Sequence, residues 1–429
     1  MSEAEQAVSA RDLLAKNRNF RQLWLGQIIS NFGDSLTSLS LLLLVNRLTG
    51  GGTGAIAVMM IMIALPQITV GLVAGVYVDR LDRKRIMIVS DLLRGALVLG
   101  FIPAALAEQL WALYAIAFLQ ATIGTFFMPA RSALIPNIVA QEGLLAANSV
   151  AQVSRILFNL LGTGAAGVLV GVFDTFSPAF AIDAASFFAS MLLIYRVQAP
   201  GFRPPAVAGD AKAVFAQLFD GLKLILHTRV LTGIMMGLGV TMLALGAVNV
   251  LLVPMIVNDL QVPETWFAAV DGAQAGSMIL SGALVAALAA RLKPTKIVSG
   301  ALMLVGVAVS AMAAIAHVWH LIAILFAVGW VLTPLQAAIA TLMQTTVPDR
   351  VRGRIGASAN AVTGSANVLS MALAGVLAGW VGVRNVFLIS GVMVVLAGFI
   401  AALIFRGVDV ARAAGEGGLE LEPAPVGTD

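Results

Sequence analysis

Apolar positions run through this chain in long stretches separated by short polar breaks, and most stretches approach the ~20 apolar residues that one membrane-spanning helix needs. Hydropathy predicts spans at about 20–45, 55–78, 86–106, 110–130, 144–172 and 178–197 in the first half. In the second half it predicts spans at about 230–257, 266–290, 297–316, 318–345, 355–382 and 386–405. The expected fold class is an all-α membrane protein with twelve transmembrane helices. Residues 1–19 are polar and lack the apolar core and small-residue cleavage site of a leader peptide, so the first span is expected to stay as an uncleaved anchor. Residues 406–429, acidic and containing Gly and Pro, are expected to form a disordered tail.

The rhythm breaks at 198–229. Pro200, Pro204 and Pro205 open this segment, and Val214, Leu218, Leu222 and Ile225 then repeat at helical spacing with Lys212 and Lys223 nearby. This pattern predicts a linker followed by an interfacial helix. It separates a bundle at 20–197 from one at 230–405, and the two echo each other. Gly124 to Pro129 and Gly329 to Pro334 share Gly-x4-Pro, while Gly167-Val-Leu-Val-Gly171 matches Gly375-Val-Leu-Ala-Gly379 at nearly the same offset. Two parallel, pseudo-symmetric six-helix repeats are implied, with a cavity where they meet near the midplane.

Composition narrows the function. Of 429 residues, 59% are hydrophobic and 11% charged, against roughly a quarter charged in soluble domains, which leaves no room for a large soluble domain. Cysteine is absent and there are three histidines, so disulfides, thiolate catalysis and Cys/His zinc sites are excluded or starved of ligands. No cofactor, no metal and no enzyme activity are expected. The net charge of +4 belongs to topology rather than to a nucleic-acid partner. With both termini on one side, 22 of the 26 Lys and Arg fall in segments of that side, Arg47 and Arg384 fall on the other, and Arg94 and Arg155 lie within spans. Cytoplasmic loops carry such an excess, so both termini and the linker are expected in the cytoplasm, with the lipid bilayer as the chain's principal partner and a monomer as its expected state.

An ionisable side chain at the bilayer centre costs ~2.5 to 3.5 kcal/mol on insertion scales. Asp34 lies ~20 Å along the first span at 1.5 Å per residue, and Gln27, Asn31, Asp34 and Ser38 share one helical face. Asn148, Gln152, Arg155 and Asn159 repeat that spacing in the fifth span. Gln274, with Asp271 and Ser281, and Asn360 and Asn367, with Thr363 and Ser370, mark the eighth and eleventh spans. These stripes either line a cavity or bond helix to helix. Asp34 is the candidate proton carrier; the alternative is a structural acid paired with a cation such as Arg155. Asp183 and the Asp91/Arg94 pair are read as structural, and His317 and His320 as solvated residues at an outer junction. Seventeen Met and twenty Phe offer repackable apolar surface for varied ligands.

The loop between the second and third spans reads Gly75-Val-Tyr-Val-Asp79-Arg80-Leu-Asp82-Arg83-Lys84-Arg85, followed by Asp91 and Arg94. It resembles the Gly-x-x-x-Asp-Arg-x-Gly-Arg-Arg/Lys loop of the major facilitator superfamily, with Asp82 where that superfamily usually has Gly. Span one (Leu23-Trp-Leu-Gly-Gln-Ile-Ile-Ser-Asn-Phe-Gly-Asp34), Pro129-Ala-Arg-Ser-Ala-Leu-Ile-Pro136, Ala147-Asn-Ser149 and Val347-Pro-Asp-Arg-Val-Arg-Gly-Arg354 are similar to its branch of macrolide-efflux proteins and siderophore exporters. The resemblance covers about 20–405. It implies alternating access, with Gly75, Asp79, Arg80, Arg83, Asp91 and Arg94 as a cytoplasmic gate motif. The span-five antiporter motif is half present: Gly162, Gly164 and Gly167 are there, but its proline is missing. The reading is a proton-coupled exporter of amphipathic small molecules, a drug:proton antiporter of the bacterial cytoplasmic membrane. The alternative is an exporter or flippase of one lipid or siderophore, without proton coupling.

Overall fold

The computed structural model describes residues 9–173, 175–198, 211–227, 229–347 and 349–406. The expected tail beyond 406 and the proline-rich opening of the linker fall outside the described residues. Among the described residues the chain is helical, without a β-strand: α1 (Ala10–Lys16), α2 (Arg18–Leu48), α3 (Thr53–Thr69), α4 (Gly71–Arg80), α5 (Arg83–Leu106), α6 (Leu110–Ile138), α7 (Leu144–Phe173) and α8 (Ser177–Tyr195) in the first half. A linker helix, α9 (Ala211–His227), precedes α10 (Arg229–Val253), α11 (Trp266–Arg291), α12 (Pro294–Ala311), α13 (Val318–Thr346), α14 (Asp349–Val381) and α15 (Val383–Ile404).

Among the described residues, ten helices are long and apolar enough to cross a membrane. They match ten of the expected spans. The eighth expected span coincides with the 26-residue α11, which is not one of those ten. The second is divided into α3 and α4 at Val70, four residues after Pro66. Helical dihedrals at Val70 (φ −74°, ψ −35°) and its 2.9 Å bond to the Pro66 carbonyl carry the chain across the break. The polar N-terminus adds a short helix, α1, that hydropathy does not predict. Ser9 caps it, and Asp12 pairs with Lys16 at 3.1 Å; together these hold the exposed Asp12 carboxyl below its ordinary range.

The chain's ends define one face of the molecule. Asn17 caps α2 through Phe20 N–H at 2.9 Å and donates to the Ile138 carbonyl at 2.7 Å, which ties the start of α2 to the end of α6. Asn19 exchanges two 2.9 Å bonds with the Gln198 backbone beyond α8. In the second half Gly233 abuts Ile404 and Phe405, and α9 lies on α14 through a 2.8 Å bond from Ser358 to the Leu218 carbonyl. We call this the terminal face.

The principal packing pairs repeat between halves. α2 packs on α7 and α8, α5 on α6 and α8, and α3 on α6; correspondingly α10 packs on α14 and α15, α12 on α13 and α15, and α11 on α13. The sequence echoes occupy matching places in this scheme, Gly124 and Gly329 in α6 and α13, Gly167 and Gly375 in α7 and α14. Close approach explains why the later pair is glycine in both halves. A Cβ on Gly167 would meet the Glu264 carbonyl oxygen at 2.8 Å at the entrance to α11, and one on Gly375 would strike Ala57 and the Thr53 carbonyl at the start of α3. Small residues let backbones approach this closely in a membrane.

Hydrogen bonds join the bundles at the same end. Thr53 donates to the Gly375 carbonyl at 3.0 Å, and Asn46 and Asn258 exchange amide bonds of 3.2 and 3.0 Å. The face opposite the termini is therefore sealed by two glycine seats and an amide pair. Replacing Gly375 by Leu is expected to wedge this seal open. Spin labels at Gly50 and Gly379, both with open space around them, should report a longer distance in the variant; an unchanged distribution would refute the role given to the seat.

Candidate functional site

A cavity of about 250 Å³ lies within the first bundle between α2, α3, α5 and α6. The face of α2 expected to be polar lines it through Gln27, Asn31, Asp34 and Ser38, joined by Ser30 and Thr37. α3 contributes Gln67, α5 Arg94, and α6 Gln120 with Gly124, Phe127 and Met128. Its place differs from the expectation of a cavity between the bundles, since its lining comes wholly from the first. Gln67 and Gln120 escape a reading of the sequence because each is a lone amide in an apolar span, without the stripe that exposes the α2 set.

Arg94 is the centre of this site. Its guanidinium bonds Asp91 at 2.5 Å, one turn back on the same helix, and lies 3.9 Å from Asp34 across on α2. It is held between two rings, 4.3 Å from the centroid of Phe187 and 4.7 Å from that of Phe127. A desolvated cation over a ring gains ~2 kcal/mol or more, so this enclosure compensates part of the cost of taking the charge out of water. The arginine stem runs past Gly124, its Cδ 3.9 Å from where a Cβ would stand, an ordinary contact distance. Asp91 is fully buried, and its second oxygen accepts from Ser190 of α8 at 2.7 Å.

The two acids around Arg94 are thus unequal. Asp91 has a short ion pair, a hydroxyl donor and no exposure; the Asp34 side chain is 41% exposed and paired only at long range. Asp91 is the fixed counter-ion, while Asp34 faces the cavity. The pairing of Asp91 with Arg94 agrees with a structural reading, but its junction with Asp34 lies outside that reading. Arg155, the cation considered as a partner for Asp34, instead bonds Gln152 at 3.3 Å on an exposed stretch of α7.

The remaining expected residues lie elsewhere. Asn159 is engaged with Ser35 of α2, a bond between helices rather than a cavity contact. The Gln274 carbonyl accepts from Ser277 at 2.8 Å and lies against Gly329. Asn360 is exposed on α14, and Asn367 has a buried side-chain oxygen without a hydrogen-bond partner among the described residues. None of these lines the cavity. In the loop motif, Gly75 lies within α4, Arg80 is exposed at its end, and Arg83 bonds the Ala133 carbonyl of α6 at 3.3 Å. The Asp79 side chain falls outside the described residues. Asp91 and Arg94 belong to the interior charge site. Asp82 serves as the cap of α5, its carboxylate accepting from Lys84 and Arg85 N–H at 2.9 and 3.2 Å, a contribution of ~1 kcal/mol. Among the described residues no group of three or more His, Cys, Asp or Glu side chains could hold a metal ion.

A helical bundle with many apolar crossings around a polar chamber with a buried ion pair marks a multi-pass membrane protein. Comparison with known proteins gives the particular family. The profile described as "Transmembrane secretion effector" matches residues 14–414. The MFS-type transporter YfiS of Bacillus subtilis (strain 168) is 28% identical over 407 residues, 92% of this chain and 94% of its own length. The multidrug efflux pump Tap of Mycolicibacterium fortuitum is 28% identical over 351 residues, 80% of this chain and 85% of its own. Macrolide efflux protein A of Streptococcus pyogenes is 19% identical over 389 residues, 90% and 95% of the two chains. In fold, the nucleoside transporter NupG superposes with a TM-score of 0.76 at 11% identity, covering 90% of this chain and 99% of its own. A bacterial homologue of the iron transporter ferroportin, in an inward-facing state, gives 0.70 at 16% identity, covering 92% and 98%. The chain belongs to the transmembrane secretion effector family of major facilitator superfamily transporters.

Removing Arg94 leaves Asp91 buried without its counter-ion, and breaking such a pair costs ~3 to 5 kcal/mol. Arg94→Leu is expected to unfold at a markedly lower temperature in detergent, followed by tryptophan fluorescence. Arg94→Lys, which keeps the charge but not the planar stacking, should fall between. A melting curve for Arg94→Leu that superimposes on the wild type would contradict this assignment.

Proposed function

We propose that this protein is a secondary active exporter of amphipathic small molecules that exchanges substrate for protons by alternating access. The observation that carries the proton half of this reading is Asp34: a carboxylate partly exposed in a polar chamber, loosely paired with an arginine already committed to Asp91. Export is supported by the multidrug and macrolide efflux relatives. The proposed topology is twelve spans, α3 and α4 together making the second, with the terminal face in the cytoplasm of a bacterial cell; the 22 basic residues on that side support it.

In this topology the seal at Gly167, Gly375 and the Asn46/Asn258 pair closes the outer side, so the state described faces inward. Proton uptake from outside requires that seal to open. Each proton descending ~100 mV supplies ~2.3 kcal/mol, enough to work against the reopening of a few small-residue contacts. The chamber's 250 Å³ is below the ~300 to 1,000 Å³ of pockets that enclose drug-sized ligands. We assign it to coupling, and assign substrate passage to the space between bundles, bordered by α3 and α14 and by α7 and α11. On the cytoplasmic side Asp79 would latch the outward-facing state against the second bundle, with Arg80 and Arg83 beside it. No cofactor enters this scheme.

The test is substrate-induced proton movement in inverted vesicles holding a pH gradient, with cationic drugs, macrolides and a siderophore. Several unrelated compounds should collapse the gradient with the wild type, and none with Asp34→Asn at equal abundance. Collapse by a single compound class would replace multidrug export with a dedicated carrier. Failure of every compound with folded protein would overturn proton exchange.

A further inference from the structure

The first bundle contains a fully buried acid that its mechanism so far does not use. Asp183 of α8 is completely buried, on a helix packed between α2 and α5. It lies directly against the backbone of α2 beside Asp34. A Cβ on Gly33 would collide with Asp183 Oδ1 and with the Ser186 hydroxyl, so only glycine at 33 lets this carboxyl approach the helix that carries Asp34. Oδ1 accepts from Ser186 at 3.2 Å. The Thr37 hydroxyl is near enough to favour an Asp183 anion, but neither it nor Oδ2 makes a hydrogen bond of full geometry among the described residues.

The charges facing Asp183 are few. α2 presents Asp34 and α5 presents Asp91 and Arg94, while Arg155, the charged residue of α7, is bonded to Gln152. Arg94 directs its two terminal nitrogens at Asp91 and Asp34, and its Nε is left without a partner among the described residues. Two carboxyls thus contact the one guanidinium, and a third, Asp183, lies within its field without touching it. Were all three ionised, two negative charges would stand uncompensated in a dry bundle. For Asp183 ionisation would mean a fully buried anion with only the Ser186 and Thr37 hydroxyls beside it and no cation in contact, a strongly disfavoured state. A neutral carboxylic acid at the same place carries no such penalty.

We propose that Asp183 holds a proton in this state and is the second proton-binding group of the carrier, acting with Asp34 beside the arginine they face in common. Asp34 and Asp183 act directly on one another, with Arg94 a weaker influence on Asp183, and acids so coupled titrate as a unit. When Asp34 is protonated, its hold on Arg94 weakens and the guanidinium becomes available to compensate Asp183; when Asp34 ionises, Asp183 must be neutral. The proton leaves Asp34 to cavity water, and the proton on Asp183 follows only through rearrangement of Arg94. This rests on the proton-exchange reading above, in which Asp183 had no part.

The test is pH-difference infrared spectroscopy of the purified, lipid-reconstituted protein, following the carbonyl stretch of protonated carboxyls. The wild type should show a protonated-carboxyl band that disappears in Asp183→Asn and shifts in Asp183→Glu. Because Asn imitates the neutral acid, Asp183→Asn should melt at the wild-type temperature, and substrate-induced proton release should fall by about half. An Asp183→Asn spectrum identical to the wild type across the pH range, or a large loss of thermal stability with no change in any protonated-carboxyl band, would overturn the proposal and assign Asp183 as an ionised structural partner. Proton release unchanged in Asp34→Asn would instead strike the proton-exchange reading, whatever the Asp183 band does.

Discussion

Arg94 is the residue on which the first bundle depends. A buried guanidinium is tolerable only when its charge is answered, and here four helices contribute to that, although its Nε is left without a hydrogen-bond partner among the described residues. α5 supplies Asp91, α2 supplies Asp34, and α6 and α8 supply the rings of Phe127 and Phe187. Ser190 steadies Asp91, Gly33 gives Asp183 room against α2, and Asp183 stands beside them with no cation in contact. The arrangement fixes one acid and leaves another exchangeable. That difference, a 2.5 Å contact against a 3.9 Å one, is the physical basis for assigning structure to Asp91 and ion exchange to Asp34.

The second bundle repeats the helix pairings but not the charges. Where the first places Asp91, Arg94 and Asp183 on α5 and α8, the equivalent α12 and α15 meet backbone to backbone through Gly306 and Gly391. The first half thus carries the buried ion pair among the described residues, and the glycine seats at Gly167 and Gly375 let the halves meet at one end. Packing of this kind is held by close contact rather than by a hydrophobic gradient, because lipid is as apolar as the helices. A contact that depends on the last half ångström of approach is easily lost as a unit, which suits a seal that has to open and close.

Much of this is legible in the sequence. The spans follow from hydropathy, and the α2 stripe of Gln27, Asn31, Asp34 and Ser38 is visible because helical periodicity puts all four on one face, where the structure finds them lining one chamber. The partner of Asp34 is not legible. Arg94 lies on another helix, and its i, i+3 relation to Asp91 makes a local pair look complete. The Asn159 stripe has the same spacing as the α2 stripe yet closes onto Ser35; periodicity identifies a face but not what the face meets. Asp82 looks like a departure from a loop pattern until its capping of α5 gives it a reason. Asp183 looks structural because one acid in a span reveals nothing of its missing counter-ion.

The central claim is that the protonation of Asp34, felt through Arg94, sets which face of the carrier is open. The absence of cysteine permits a direct measurement: Ser38→Cys, exposed in the chamber one helical turn from Asp34, reacted with a membrane-impermeant thiol reagent from each side in turn. The account predicts that the rates from the two sides change in opposite directions when Asp34 is replaced by Asn, the mimic of its protonated form. Equal rates with and without the Asp34→Asn substitution, from both sides, would contradict it.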